Sequence, residues 1–266
     1  MPCGKCLACR IRRRSVWAIR MLHEITTAHN ACFITLTYSN ENLPLRGSDT
    51  RGILVKSDLQ NFFKRVRKAG HEFRYYACGE YGDAGGRPHY HAILFGVTLG
   101  KEELEKHWQL GLCDSGTATE ASVKYVAGYV SKKLGLSDYE HSNRPAPFQI
   151  SSQGIGMDWA KENLIETLIE GSLKFHGTSL PIPRIYLQWY EEIFPEAVDG
   201  FSFRQQYAAD LALTEAILEM APEYGGRSWK QLEETEKANV LIQLHKRGEQ
   251  VDANLRAAAS MRENKL

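Results

Sequence analysis

The stretch Arg87-Pro88-His89-Tyr90-His91-Ala92-Ile93-Leu94-Phe95-Gly96 constrains the fold more than any other part of the chain. Two histidines flank one residue and lead directly into an apolar β-type run, so the segment reads as a strand carrying both imidazoles. Side chains alternate along a strand, which turns His89 and His91 to one face with Cα atoms roughly 7 Å apart. Two imidazoles at that spacing can share one divalent ion. The plainer reading is two hydrogen-bonded or solvated histidines on a half-exposed strand.

The flanking residues favour the metal reading. Arg74-Tyr75-Tyr76-Ala77-Cys78-Gly79-Glu80 is a second strand-like run, and the Gly/Asp-rich turn from Tyr81 to Gly86 joins the two as a hairpin. Glu80 then falls at the end of the partner strand, near the histidines, with Asp83 or a water as the alternative third ligand. A carboxylate beside two imidazoles suits Mg²⁺ or Mn²⁺ with positions left open for a phosphate. Downstream, Ser122-Val123-Lys124-Tyr125-Val126-Ala127-Gly128-Tyr129-Val130-Ser131-Lys132-Lys133 reads as a helix. Residues four apart share a helix face, which pairs the phenols of Tyr125 and Tyr129 and puts Lys132 on the same stripe. Alone, such tyrosines are core or interface residues; beside His-x-His they have the form of paired nucleophiles.

The ordered set Phe33-Ile34-Thr35-Leu36-Thr37-Tyr38, Pro88-His89-Tyr90-His91 and Tyr125-x-x-x-Tyr129-x-x-Lys132 resembles the three motifs of HUH endonucleases that initiate rolling-circle replication. With Cys3-Gly4-Lys5-Cys6-Leu7-Ala8-Cys9-Arg10 at its start, the chain is similar to the replication initiators of gokushovirus-type microviruses, small single-stranded DNA phages. The resemblance covers roughly residues 1 to 135. It implies an α+β fold of the HUH endonuclease type, with a central antiparallel sheet of about five strands flanked by helices, followed by a mainly helical C-terminal extension. It also implies Tyr125 and Tyr129 as nucleophiles, Lys132 as a stabiliser of charge, and a cation on Glu80, His89 and His91. The expected chemistry is origin nicking through a 5′-phosphotyrosyl intermediate with a free 3′-hydroxyl, then rejoining to release circular single strands. The implied partners are a DNA origin and the host replication helicase and polymerase.

The net charge of +1 conceals an asymmetry. Residues 1 to 137 hold 20 basic and 12 acidic side chains, giving +8, whereas residues 138 to 266 hold 13 and 20, giving −7. A basic half that also carries the candidate site suits a polyanionic partner. Arg10, Arg12, Arg13 and Arg14 crowd the first helix with no acid before Glu24, and Trp17 beside them could stack a base. Arg87, next to the histidines, belongs to the same expected DNA-binding set. Cys3, Cys6 and Cys9 form C-x-x-C-x-x-C, which could hold a structural Zn²⁺ given a distant fourth ligand, or stand as reduced thiols. No apolar run is long enough to span a bilayer and the start lacks the apolar core of a signal peptide, so an intracellular protein is expected, and the resemblance implies the host bacterial cytoplasm.

The remaining pattern divides the chain at a polar stretch with Pro145, Pro147, Gly154 and Gly156, giving an endonuclease domain over 1–137, a linker over 138–160 and a mixed then helical region over 161–266. Helices are expected from Arg10 to about Asn30, from a Ser57 cap to Gly70, and over Lys101–Trp108. A short edge strand is expected over Ile53–Lys56, and Arg184–Leu187 reads as extended. Two further functions fit the same residues: a zinc-bearing DNA-binding regulator that does not nick, and a related HUH transposase or relaxase.

Overall fold

The computed structural model describes residues 6–47, 50–82, 86–132, 144–175, 177–220, 231–240 and a few positions between 242 and 253. Side chains are described there except at 129–132, 178 and most of 210–220. A five-stranded antiparallel sheet dominates, formed by β1 (Ala31–Thr37), β2 (Arg74–Tyr81), β3 (Pro88–Phe95), β4 (Cys113–Thr117) and β5 (Phe148–Ser151) in the order β4-β1-β3-β2-β5. The α+β class with about five strands is therefore observed. The strand with both histidines lies in the middle, and β2 and β3 form the hairpin with Glu80 directly opposite His89.

The two faces of the sheet follow from alternation. Cys32, Ile34, Leu36, Ala77, Tyr81, Tyr90, Ala92 and Leu94 point to one side, where they pack with Leu59, Phe62, Phe63 and Val66 of α2 (Lys56–Lys68) and with Leu104 and Trp108 of α3 (Lys101–Trp108). Burying these side chains is the main stabilising term, about 2 kcal/mol for each large one. Phe33, Thr35, Tyr76, Cys78, Glu80, His89 and His91 occupy the opposite face, which α1 (Leu7–Thr27) and α4 (Glu120–Lys132) cover. There Trp17 of α1 lies 4.9 Å from Tyr76, ring centre to ring centre.

Three local expectations give way to tertiary contacts. Ser57 does not cap α2. The helix begins at Lys56 with Val55 at the cap position and no side-chain cap. Val55 is fixed instead by Tyr90, whose hydroxyl accepts from the Val55 N–H at 2.8 Å and lies 3.1 Å from its carbonyl. That bonding leaves 53–55 as irregular chain, and no edge strand forms over Ile53–Lys56. The stretch expected as a linker carries β5, which pairs with β2, and α5 (Met157–Glu162). Side chains hold this return to the sheet: Tyr81 donates to the Pro145 carbonyl at 2.9 Å, and the Arg144 guanidinium lies 3.7 Å over the Tyr81 ring.

Residues Arg13–Glu162 form one compact unit, and the rest of the described chain belongs to a second. In the second unit, α6 (Leu164–Glu170) ends at Gly171 in the left-handed conformation, and β6 (Leu173–Phe175) pairs with β7 (Thr178–Leu180). Arg184–Leu187 is helical, as the start of α7 (Arg184–Ile193). Proline suits a helix start, and the spacing of Tyr186, Trp189 and Tyr190 buries one helical face. Pro195 then opens α8 (Pro195–Met220), and residues 234–240 are also helical. Among the described residues no helix is long and apolar enough to cross a membrane.

Two tests follow from this packing. A Cβ at Gly111 would stand 2.3 Å from the Thr37 carbonyl oxygen and closer still to the Ser39 nitrogen, both backbone atoms that cannot swing aside. Gly111→Ala should cost about 2 kcal/mol or more, read as a lowered midpoint in urea unfolding. His23 stacks on Trp159 at 3.4 Å, and burial lowers its pKa from 6.5 to about 4. Between these values the unfolded chain binds the proton and the folded chain does not. The His23 contribution is thus complete above pH 6.5 and is lost as pH falls toward 4. His23→Phe should flatten the pH dependence of stability in that window relative to the wild type.

Candidate active site

The polar face of the sheet is organised around His91, which is 6% exposed and hydrogen-bonded at both ring nitrogens. Its Nε2 lies 3.1 Å from Glu80 Oε1, and its Nδ1 lies 3.0 Å from Thr35 Oγ1. Register produces both contacts, since Thr35 of β1 is the direct partner of His91 on β3, and Glu80 on β2 is offset by two residues. A carboxylate only accepts, so a neutral His91 donates Nε2–H to Glu80 and accepts at Nδ1 from the Thr35 hydroxyl. A hydroxyl can also accept. Thr35 can therefore hold the ring in the other tautomer as well, with Nδ1–H toward Thr35 and the Nε2 lone pair turned to a cation.

Glu80 is 3% exposed, and its Oε2 is buried without a hydrogen-bond partner. A buried carboxylate oxygen lacking a partner is costly, and a divalent cation is one group that would satisfy it. The spacing also fits, because neighbouring ligand atoms on an octahedral ion with bonds near 2.1 Å stand about 3 Å apart. His89 points to the same face, its ring centre 6.4 Å from that of His91. Gly82 leaves it room, since a Cβ there would come within 2.6 Å of His89 Nε2. Burial, and secondly the Glu80 charge, push up the pKa of Cys78, the direct partner of His91.

Tyr125 meets this cluster from α4. Its ring stands edge-on to His91 with centres 5.1 Å apart and edge-on to Phe33 at 6.0 Å, while Phe33 stacks parallel to His91 at 5.8 Å. Tyr125 is 42% exposed, so its phenol is accessible while its ring is held. The helix is started by Thr119 and Ser122, whose side chains each accept from the other's backbone N–H at 3.3 and 2.7 Å, and is seated by buried Val123, Val126 and Ala127. Arg14 crosses α4 at Gly128, where a Cβ would meet its guanidinium at 3.5 Å, ordinary contact distance. The structure thus brings together Glu80, His89, His91 and Tyr125.

The other expected residues are placed as follows. Tyr129 and Lys132 continue α4, but their side chains lie outside those described, as do Cys3 and Asp83. Cys6 and Cys9 are half-buried at the start of α1 and form no disulfide. Arg12, Arg13 and Arg14 are exposed on α1 and Arg10 is half-buried. Trp17 is half-buried, with the Arg20 guanidinium 4.2 Å over its ring. Arg87 has a visible structural task, donating to the Tyr38 carbonyl at 2.7 Å and to Asn40 Oδ1 at 3.0 Å, which ties the loop after β1 to the entrance of β3. Tyr90, between the two histidines, faces the core, and burial pushes its pKa up to about 12, excluding it as a phenolate.

Sequence reading attached no role to Thr35 or Gly82, and it did not reach Gln149 of β5, which lies opposite Cys78 with a buried, unpartnered Oε1. It also missed a second polar cluster. Among the described residues, His71, Glu103 and His107 form a group whose ligand atoms all lie within 4.8 Å of one another, a tighter set than Glu80, His89 and His91.

The family model described as "Replication-associated protein ORF2/G2P" matches residues 31–134. The replication-associated protein VP4 of Bdellovibrio phage phiMH2K is 32% identical, over 73% of this chain and 69% of that protein. The replication-associated protein ORF2 of Spiroplasma virus 4 is 34% identical, over 61% and 58%, and ORF4 of Chlamydia phage 1 is 27% identical, over 74% and 55%. No solved structure matches.

Thr35→Val keeps the β-branched shape and removes the hydroxyl. Leaving the buried His91 Nδ1 without its partner should cost about 1–3 kcal/mol, read as a lowered midpoint in urea unfolding.

Proposed function

Since the chain belongs to the family of phage replication-associated proteins, we propose that it initiates rolling-circle replication by nicking an origin with Tyr125 as nucleophile. The observation carrying this reading is the Tyr125 ring held 5.1 Å from His91, which is itself bonded to the buried Glu80. A phenol needs help to attack at neutral pH, because its unperturbed pKa is near 10. A divalent cation, Mg²⁺ or Mn²⁺, held by Glu80, His89 and His91 would bind a non-bridging phosphate oxygen and draw charge from the phosphorus.

The chain's own residues supply the rest. Thr35 fixes the His91 ring, and His91 and Phe33 fix the Tyr125 ring, so the phenol enters the reaction with little torsional freedom left to lose. Its oxygen forms a bond to phosphorus while the bond from phosphorus to the 3′ oxygen breaks. The phenol loses its proton, the 3′ oxygen gains one, and the products are a 5′-phosphotyrosyl strand and a free 3′-hydroxyl. That hydroxyl is a primer for a host polymerase behind a host helicase. The phosphotyrosine conserves the bond for rejoining, which needs no nucleotide hydrolysis. Tyr129, four residues on along the same helix, is the second nucleophile that makes the cycle repeatable, and Lys132 offsets charge on the phenolate or the phosphate. Arg10, Arg12, Arg13 and Arg14 contact the DNA backbone, with Arg14 lying against the tyrosine helix at Gly128.

The test is incubation of the full chain with single-stranded DNA from its own genome, with Mn²⁺ or with EDTA, followed by denaturing gels. A metal-dependent covalent band is expected, lost on His91→Ala. Tyr125→Phe should slow the first cleavage by about 10³-fold or more, the scale of removing a covalent nucleophile. Retarded DNA with no adduct under any of these conditions would instead identify a binding protein.

A further inference from the structure

We propose that His71, Glu103 and His107 form a second divalent-cation site, of the kind that takes Zn²⁺, separate from the nicking centre. Glu103 and His107 lie four residues apart on α3, so they share one face of that helix. His71 comes from the turn between α2 and β2, which Gly70 makes at φ 97°. Its Nε2 stands 2.7 Å from Glu103 Oε1, and the ligand atoms of all three residues lie within 4.8 Å of one another. A tetrahedral ion with bonds near 2.0 Å holds its ligand atoms about 3.3 Å apart. The His71–Glu103 pair therefore opens by about 0.6 Å and the wider separations close by at most about 1.5 Å, adjustments that the half-exposed His71 and Glu103 can make.

The donor set points to the metal. Two imidazole nitrogens and one carboxylate oxygen suit a borderline ion such as Zn²⁺ better than Mg²⁺, which favours oxygen alone. Three protein ligands leave a fourth position for water or another oxygen donor, and the exposed side at His71 and Glu103 supplies it. The buried member is anchored already: Arg65 of α2 donates to the backbone carbonyls of His107 and Trp108 at 2.5 and 3.2 Å, setting the end of α3 before any ion arrives. The site is remote from the nicking centre. His71 precedes Arg74, at one end of β2, and Glu80 lies at the other end, about 20 Å along the strand. An ion here would cross-link the turn to α3 on the side of the sheet away from Tyr125.

The experiment uses the full chain carrying His89→Ala and His91→Ala, which removes the histidines of the nicking centre, titrated with Co²⁺. One equivalent should bind with visible d–d bands and no sulfur-to-metal charge transfer, which separates it from any cobalt held by cysteines. The ring protons of His71 and His107 should be paramagnetically shifted. Adding Glu103→Gln or His71→Ala, both at half-exposed positions, should weaken this binding at least about tenfold. Zn²⁺ should displace the cobalt. No sulfur-free cobalt spectrum, or an affinity unmoved by both substitutions, would overturn the proposal.

Discussion

Everything on the polar face depends on the registration of β3 between β1 and β2. A strand at the centre of a sheet cannot slip by one residue without exchanging its faces, and here such a slip would drive His89 and His91 into the core and expel Tyr90, Ala92 and Leu94. The hydrophobic core on one side thus fixes the position of the imidazoles on the other. The same registration sets Thr35 opposite His91 and Glu80 opposite His89, so the hydrogen bonds of the site arise from strand pairing rather than from any loop.

Two buried glutamates in this sheet region show how different environments give one residue type different uses. Glu24 of α1 is as hidden as Glu80, but its carboxylate is fully answered by the chain: the Arg74 guanidinium at 2.5 Å and the Gly156 N–H at 2.7 Å. Burial raises its pKa, and those partners pull in the opposite direction. Its task is to join α1, β2 and the turn before α5. Glu80 has one oxygen near His91 and one with no partner at all. The first carboxylate is finished by the protein, whereas the second leaves an acceptor open beside His91.

Much of the fold was legible because its elements are strongly periodic: the hairpin of β2 and β3, the amphipathic α2, and the tyrosine helix all read correctly from spacing alone. The failures share one physical origin. β5 sits in a polar segment punctuated by prolines and glycines, and its pairing with β2, the packing of Phe148 and Ile150 on the core and the contacts of Arg144 and Tyr81 make it a strand. The cap at Ser57 lost to Tyr90, thirty-three positions downstream, and α7 forms because Tyr186, Trp189 and Tyr190 find a place to bury. The site was half legible for the same reason. Glu80, His89, His91 and Tyr125 lie in short recognisable strings, but the part taken by Thr35 depends on which strand ends up beside which. His71 and Glu103 meet from thirty-two positions apart in the chain.

The pairing of β5 with β2 also changes what counts as a separable piece of this protein. Its recognisable motifs end with α4, yet the sheet they sit on is completed by a strand from further along, so motif content and structural closure have different endpoints. A chain stopped after the tyrosine helix would expose the backbone edge of β2, the strand that presents Glu80, to water or to another molecule's strand. The compact unit that carries these motifs therefore includes β5 and runs on to Glu162.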